Sequence, residues 1–278
     1  MTIKDCPIGK ILNTITNRCV KIDGKIGKDI IKNLKLKRKN INDDNKEKTI
    51  LSNKFENCKK KLEHTKYIKV KDKFNNSYLI INDSIINDLD KNDVILDPAG
   101  LSFMQKNFSG AGWASQAIYK LLSEKKPNTD VIKHFKQFKD DDYLYEKNTN
   151  NLSIAYYTSY KNNIKIIHAV GPDFTLSHYL KKIIKNNDLT DLYNLFYKIY
   201  NDIYKTFINE YRNNNCLQLR LLPISTGAFI GFNKNYKIKI FKCLKNIYQS
   251  LNKKYNIKPV IYLYDKDDYK LFKNIILE

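Results

Sequence analysis

The stretch LQLRLLPISTGAFIGF, residues 217–232, decides the fold because it joins a strand pattern to a turn pattern. Its first eight residues are mostly apolar, as expected of a buried strand, whereas Ser225, Thr226 and Gly227 are residues that bend the chain. In parallel α/β sheets, the loop between a strand and the next helix lies at the carboxyl end of the strand, where ligands bind. The stretch therefore predicts a parallel sheet and one wall of a binding site.

The same alternation of strand and helix patterns extends over residues 67–278. Predicted strands cover residues 67–74, 78–81, 94–98, 152–157, 164–170, 217–224 and 260–264. The clearest predicted helix carries an apolar stripe that is expected to face the core: Leu192, Phe196, Ile199, Ile203 and Phe207. A second face of this helix is rich in tyrosine, and we interpret it as a partly buried surface without a function: Tyr193, Tyr197, Tyr200 and Tyr204. The predicted fold class is α/β, with helices flanking a mixed, largely parallel sheet in three layers.

The residues in front of this region differ in composition. Residues 1–28 contain turn residues such as Pro7, Gly9 and Gly24 among a few apolar residues, which predicts a small module. Residues 29–66 are mostly Lys, Asn, Asp and Glu, a composition too polar to bury a core, and are predicted to form a basic linker. Three parts are thus expected: the module, the linker and a domain over residues 67–278.

The chain of 278 residues carries a formal net charge of +21. Such a charge predicts weak, non-specific attraction to nucleic acid. Arginine, the side chain best suited to recognise phosphates and bases, occurs only at Arg18, Arg38, Arg212 and Arg220. Purposeful nucleic-acid binding is therefore kept only as an alternative.

Several classes of protein are not indicated by the sequence. No apolar run reaches the roughly 18 residues of a membrane span and no signal peptide is recognised, so we expect a soluble protein with no membrane partner. The cysteines lack the paired spacing of a zinc site: Cys6, Cys19, Cys58, Cys216 and Cys243. Neither a metal ion nor a cofactor is therefore expected.

Two predicted loops carry the small residues that let a backbone approach an anion. The first loop, after Asp97, contains Ser-Gly-Ala-Gly at residues 109–112 in front of a helix, whose N-terminus favours negative charge. The second loop contains Thr226 and Gly227, and Phe229 offers an apolar face to a ribose or a base. Two such loops predict a diphosphate site, although close packing of a helix on the sheet also explains these residues.

Three segments in this order resemble the signature regions of the macro domain family, whose members bind ADP-ribose: residues 97–100 with 110–119, residues 166–172, and residues 222–229. The resemblance implies a macro domain-like fold over residues 67–278, with ADP-ribose or an ADP-ribosylated macromolecule as the ligand. It also implies which residues surround that ligand. Asp83 is the candidate for the adenine contact, and the ribose and diphosphate are expected along Pro98, Ala99, Gly100, Gly110, Ala111, Gly112, Trp113, Ala114, Ser115, Ser225, Thr226, Gly227, Ala228 and Phe229.

The chain departs from the pattern of family members that hydrolyse ADP-ribose linkages. Where those proteins commonly carry Asn-Ala-Ala-Asn, this chain has Asp-Pro-Ala-Gly at residues 97–100, so the second asparagine is absent at Gly100. The position of their glycine-loop aspartate falls on Ser115 or Ala114, and Trp113 replaces a glycine. The resemblance therefore predicts a protein that binds ADP-ribose.

Two alternatives stay open. In the first, Asp97 is the general base of an ADP-ribosyl hydrolase, although the same carboxylate is also suited to cap its turn. In the second, Trp113 fills the pocket of a degenerate scaffold that binds another protein or nucleic acid. His168 lies inside a predicted strand and is expected in the core rather than in catalysis.

A second resemblance covers residues 1–28. Cys6-Pro7-Ile8-Gly9-Lys10, Arg18-Cys19 and Asp23-Gly24-Lys25 look like the two-cysteine adaptor module of large DNA viruses. This resemblance implies that the module docks onto a viral or host protein. It also implies a viral protein that acts in the host cytoplasm, with packaging into the virion as an alternative.

Overall fold

The computed structural model describes residues 10–13, 18–21, 67–105, 113–123, 128–138, 154–175, 189–213, 217–230 and 234–278. The chain divides into two compact units, Met1–Glu63 and His64–Glu278. Each unit is described by itself.

In the first unit, the described residues form one β-hairpin. Strands β1 (Lys10–Asn13) and β2 (Arg18–Lys21) pair antiparallel, with Leu12 opposite Cys19. The other residues of the predicted module at 1–28, and the whole predicted linker at 29–66, lie outside the described residues.

The second unit alternates strands and helices, as expected from the sequence. Its described strands are β3 (Ile68–Lys71), β4 (Ser77–Ile81), β5 (Asp93–Asp97), β6 (Ala155–Ser159), β7 (Lys165–Ala169), β8 (Gln218–Leu221) and β9 (Val260–Tyr262). Its described helices are α1 (Leu101–Gln105), α2 (Trp113–Leu122), α3 (Thr129–Phe135), α4 (Thr190–Asn213), α5 (Lys234–Tyr255) and α6 (Lys266–Leu277). Short 3₁₀ turns cover Lys161–Asn163 and Ala228–Ile230.

The seven described strands of this unit form one mixed sheet in the order β3-β4-β9-β8-β5-β7-β6. Strands β4, β9, β8, β5 and β7 run parallel to one another, and the outer strands β3 and β6 pair antiparallel with their neighbours. The predicted α/β class with a mixed, largely parallel sheet is confirmed. Strand β8 ends at Leu221, before the predicted end at residue 224, because Pro223 has no N–H for a sheet hydrogen bond.

Helices cover both faces of this sheet. Tyr156 of β6 stacks on His134 of α3, with ring centroids 4.8 Å apart. The next residue, Tyr157, faces α4, and burial together with the charge of Glu210 raises its pKa. Because successive side chains of a strand point to opposite faces, α3 and α4 lie on opposite sides of the sheet.

The apolar stripe predicted on α4 is confirmed as core. Phe196, Ile199 and Ile203 have no exposed surface, and Leu192 and Phe207 are about 1% exposed. Burying a side chain of this size contributes about 1.5–3 kcal/mol, so this one stripe is a major contributor to stability. Within the described residues, no helix is both long and apolar enough to cross a membrane.

Candidate functional site

A cleft of about 560 Å³ opens at the carboxyl ends of the parallel strands. Its walls are the segments that follow β4, β5, β8 and β9, together with parts of α1, α2 and α6. This is the edge of a parallel α/β sheet at which ligands bind.

Most of the predicted site residues that the structure describes meet in this cleft. They are Asp83, Pro98, Ala99, Gly100, Ala114, Ser115, Ser225, Thr226, Gly227, Ala228 and Phe229. Gly110, Ala111 and Gly112 lie outside the described residues, as does the side chain of Trp113, whose backbone begins α2. The predicted roles of these four residues stay predictions.

The loop after β8, residues 222–229, uses its side-chain hydroxyls to hold its own shape. Ser225 has a φ of 62°, in the left-handed region, which costs a non-glycine residue about 1 kcal/mol or more. Its Oγ donates to the carbonyl of Pro172 at 2.7 Å, and Thr226 Oγ1 donates to the carbonyl of Pro223 at 2.9 Å. The N–H of Phe174 donates to the carbonyl of Phe229 at 2.8 Å, a second link between this loop and the segment after β7.

Three consecutive backbone N–H groups of the same loop, those of residues 226–228, have no described acceptor. Thr226, Gly227 and Ala228 all line the cleft. Consecutive open N–H groups in a bent loop form a concave site for an anion. We call residues 225–228 the phosphate loop, after the anion that the sequence predicts there.

Another part of the wall is the start of α2, where Ala114, Ser115 and Ala117 line the cleft. The first N–H groups of a helix have no partner within the helix, and its N-terminus carries partial positive charge. The first turn of α2 contains no acidic side chain to neutralise this charge. Among the described lining residues there is no lysine, arginine or histidine. Attraction of an anion by the described walls therefore depends on backbone dipoles, despite the net charge of +21.

The far end of the cleft combines a carboxylate with an aromatic ring. Asp83 Oδ1 accepts hydrogen bonds from the N–H of Ser84 and from Asn87 Nδ2, each at 2.7 Å, while Oδ2 has no described donor. Tyr264 also lines this end, and it is 79% exposed. Asn82 joins the two segments, because its Nδ2 donates to the carbonyls of Leu263 and Tyr264 at 2.7 and 3.1 Å.

Arg220 of β8 holds the segment that follows β4 in place at this end of the cleft. It is 3% exposed, donates to the carbonyls of residues 85, 87 and 88, and pairs with Asp93. Its guanidinium also lies 5.0 Å from the ring centre of Tyr262, which lines the cleft. Burial raises the pKa of Tyr262 to about 12, while the Arg220 charge opposes that rise. Tyr262 is therefore a neutral hydrogen-bonding group at ordinary pH.

Asp265 and Asp268 place two further carboxylates at this end, and both already have protein partners. Asp265 caps α6 by accepting from the N–H of Asp267 and Asp268, each at 2.9 Å. Asp268 pairs with Lys237 at 2.8 Å; its burial raises the pKa of the carboxyl, and Lys237 opposes that rise. Among the described residues, no group of three potential metal ligands is close enough together to hold an ion.

Asp97 lies behind the cleft wall and has no exposed surface. Ser115 Oγ donates to its Oδ1 at 2.6 Å, and His168 Nδ1 lies 2.8 Å from its Oδ2, which also accepts from the Tyr119 hydroxyl. Burial, followed by the Asp97 charge, raises the pKa of Tyr119 far above its ordinary value. Asp97 is not among the described residues that line the cleft, whereas Ser115, which donates a hydrogen bond to it, is.

His168 is also fully buried, as expected of a core residue. It lies beside Asp97 because β5 and β7 pair with Asp97 directly opposite His168. Its second nitrogen, Nε2, lies 3.0 Å from the Tyr160 hydroxyl. We call Asp97, Ser115, Tyr119 and His168 the floor cluster.

Gly100 is closely covered by aromatic rings. A Cβ added at this position would lie 3.1 Å from Phe229 Cζ and 3.4 Å from Phe103 Cδ2. The first distance is tighter than ordinary contacts between carbon atoms. The absence of a side chain at Gly100 thus lets Phe229 lie across the turn after β5.

Sequence reasoning missed part of the lining: Ser84, Ile85, Phe103, Ala117, Leu222, Pro223, Tyr262, Leu263, Tyr264, Asp265 and Asp268. A usable signal existed for Tyr264 and Asp265. Tyr264 is the last residue of a predicted parallel strand and Asp265 follows it directly, and ligands gather at that end of such strands.

No known protein family matches this chain by sequence, and no curated protein matches it. Its structure is similar to solved macrodomains. One is a mutant macrodomain from Oceanobacillus iheyensis, with 16% identity, coverage of 76% of this chain and 96% of that chain, and a TM-score of 0.47. A second is a Trypanosoma brucei macrodomain in complex with ADP-ribose, with 14% identity, 71% and 68% coverage, and a TM-score of 0.44. At these scores, the similarities define neither the family nor the ligand of this chain.

Proposed function

We propose that the cleft binds ADP-ribose, either free or attached to a macromolecule. One observation carries the proposal: the open N–H groups of Thr226, Gly227 and Ala228 line a cleft of about 560 Å³ at the carboxyl edge of the sheet. A volume of this size is typical of sites for ligands of a few hundred daltons. The motif resemblance at residues 222–229 supports the same assignment.

In this proposal, the diphosphate lies between the phosphate loop and the start of α2. Backbone N–H groups that are already fixed in place bind an anion without having to reorganise. The hydroxyls of Ser225 and Thr226 contribute indirectly, because they donate to carbonyls of the protein and so hold the loop.

The adenine lies at the other end, between Tyr264 and Asp83. The exposed ring of Tyr264 offers a flat surface for stacking, which is worth about 1–3 kcal/mol per base. Asp83 Oδ2 is an acceptor with no described donor and suits the 6-amino group of adenine.

We propose binding rather than hydrolysis as the function. A general base must come within hydrogen-bond reach of its proton donor, directly or through one water molecule. The Asp97 carboxylate is fully buried, and it already accepts hydrogen bonds from Ser115 and Tyr119 and contacts His168. These contacts favour a supporting role for Asp97.

Calorimetric titration of the full chain with ADP-ribose tests this proposal. We expect saturable binding at one site, and loss of binding in Gly227→Glu, which places bulk and negative charge in the phosphate loop. An unmodified chain that releases no heat with ADP-ribose and gives no thermal shift would refute the proposal.

The salt dependence of binding separates this function from nucleic-acid binding. Because no basic side chain lines the described cleft, raising NaCl from about 0.05 to 0.2 M should weaken ADP-ribose binding only slightly. Binding to a polynucleotide through surface lysines should fall by orders of magnitude over the same range, about 10³-fold or more for several phosphate contacts.

We further infer that residues 1–28 dock the protein onto a viral or host partner in the cytoplasm of an infected cell, with virion packaging as an alternative. The motif resemblance around Cys6 and Cys19 supports this inference, and the β1–β2 hairpin is compatible with a small folded module. Deletion of residues 1–28 should remove co-purifying partners from infected cells and leave ADP-ribose affinity unchanged. Retention of the same partners would contradict the docking role.

A further inference from the structure

The hydroxyl of Tyr200 joins α4 to the loop after β8. Tyr200 has no exposed surface, and its hydroxyl donates to the carbonyl of Leu222 at 2.8 Å. It accepts from the N–H of Ile224 at 2.9 Å and from the Tyr248 hydroxyl at 3.1 Å. A tyrosine hydroxyl supplies one donor and two acceptor positions, so all three are used.

These bonds lie at the point where the sheet stops supporting the chain. The ladder between β8 and β9 ends with Leu221 opposite Ile261, and Pro223 has no N–H to continue it. The Tyr200 hydroxyl pairs with the backbone groups on both sides of Pro223. It therefore takes the place of a strand partner immediately before Ser225, where the loop turns with its positive φ.

We propose that Tyr200, supported by Tyr248, is a positioning residue for the phosphate loop. The hydroxyl fixes the carbonyl of Leu222 and the N–H of Ile224 and thereby sets the direction in which the amides of residues 226–228 enter the cleft. The identity of the ligand in this inference rests on the proposed function, whereas the fixing of the loop does not.

Tyr204 provides a matched control on the same helix. It is also fully buried, and its hydroxyl donates at 2.7 Å to Asn252 Oδ1 on α5. Its described hydrogen bond thus joins two helices and does not reach the phosphate loop. A Tyr204→Phe variant loses one buried hydroxyl, as Tyr200→Phe does. It leaves the hydrogen bonds of the Tyr200 hydroxyl to Leu222 and Ile224 in place.

Titration of the full-length variants with ADP-ribose tests the inference. Loss of the Tyr200 hydroxyl removes the partner of the part-buried Leu222 carbonyl and of the buried Ile224 N–H, so the loop should populate other conformations. The apparent affinity then falls in proportion to the fraction of molecules whose loop is in the binding conformation. We expect Tyr200→Phe to weaken binding about tenfold, Tyr248→Phe to weaken it less, and Tyr204→Phe to bind as the unmodified chain does. Melting temperatures should fall in both Tyr200→Phe and Tyr204→Phe, and further in Tyr200→Phe because its hydroxyl makes three described hydrogen bonds against one at Tyr204. Unchanged affinity in Tyr200→Phe, or equal weakening in Tyr204→Phe, overturns the inference.

Hydrogen exchange of the free protein gives a test that needs no ligand. Peptides covering residues 222–230 should exchange faster in Tyr200→Phe and, to a smaller extent, in Tyr248→Phe, but not in Tyr204→Phe. If the unmodified chain does not bind ADP-ribose but shows this exchange pattern, the proposed function fails and the positioning role of Tyr200 stands. Equal exchange in all three variants overturns the role itself.

Discussion

The floor cluster lies behind the wall of the cleft and reaches it only at Ser115, whereas the phosphate loop lines the cleft, and the two regions use their polar groups in opposite ways. In the floor cluster, the Asp97 carboxylate contacts Ser115, Tyr119 and His168 and has no exposed surface. In the phosphate loop, the hydroxyls are committed to the protein while the amides of residues 226–228 remain open. Polarity at a cleft therefore does not by itself identify the groups that face a ligand.

The two regions should therefore respond differently to substitution. Removing a buried, fully paired group destabilises the fold, because its former partners are left unpaired away from water. Removing an open group at the cleft costs the folded chain little and weakens ligand binding. Substitutions in the floor cluster are expected to act on stability, and substitutions at ligand-facing groups on affinity.

The largest effect is expected from Asp97→Ala in the floor cluster. It leaves three buried partners without their acceptor and should lower the free energy of unfolding by about 3 kcal/mol or more. Denaturation in urea measures this change. Asp130→Ala, an exposed carboxylate in the first turn of α3, serves as the control and should change stability by less than about 1 kcal/mol. Similar losses in the two variants would show that the buried contacts of Asp97 contribute no more to stability than an exposed carboxylate does.

The next effect is expected from Gly227→Glu in the phosphate loop. A carboxylate beside the diphosphate should weaken ADP-ribose binding on the order of 100-fold or more, through repulsion and bulk. Calorimetry measures the affinity, and urea denaturation should show a much smaller loss of stability than in Asp97→Ala. Gly227→Gln is the control, since it adds nearly the same bulk without the charge and should weaken binding less. Equal weakening in the two variants would remove the role of charge repulsion at the phosphate loop.

A smaller effect is expected from Tyr264→Ala at the base end of the cleft. Loss of the stacking surface should weaken binding about tenfold with almost no change in stability, because the side chain is 79% exposed. Tyr264→Phe keeps the ring and should bind nearly as well as the unmodified chain. If Tyr264→Ala binds ADP-ribose as tightly as the unmodified chain does, the adenine does not stack on Tyr264.

The smallest effect is expected from Asp83→Ala. Loss of one hydrogen bond to the 6-amino group of adenine should weaken binding about fivefold. A ligand whose purine lacks that amino group provides the control, and it should bind equally to the variant and the unmodified chain. A fivefold loss with this ligand as well would show that Asp83 acts on the shape of its loop instead.

The fold and the phosphate loop could be predicted because their signals are local. A strand pattern followed by Ser225, Thr226 and Gly227 marks a loop at the carboxyl end of a strand, wherever that strand lies in the sheet. The pairing of Asp97 with His168 could not be predicted in this way. It depends on β5 and β7 being neighbours, and no local pattern contains the strand order.

The tyrosines of α4 show the same limit. Tyr193, Tyr197, Tyr200 and Tyr204 repeat at helical spacing, a pattern that predicts a partly buried surface without a function. Tyr193 and Tyr197 are half-buried, whereas Tyr200 and Tyr204 have no exposed surface because Tyr248, Asn252 and other residues of α5 cover them. Periodicity along one helix cannot show which part of a face a second helix will cover. The contact between Tyr200 and the loop was missed for that reason.

The close packing of Phe229 over Gly100 has a consequence for how this site can change over evolution. An asparagine at position 100 would bring its Cβ to 3.1 Å from Phe229 Cζ, so the ring would have to shift by a few tenths of an ångström. The effect of a side chain at position 100 should therefore depend on the residue at position 229, because a smaller residue there removes this contact. The two positions are expected to form an epistatic pair, and laboratory evolution toward a polar site at this turn should select changes at them together.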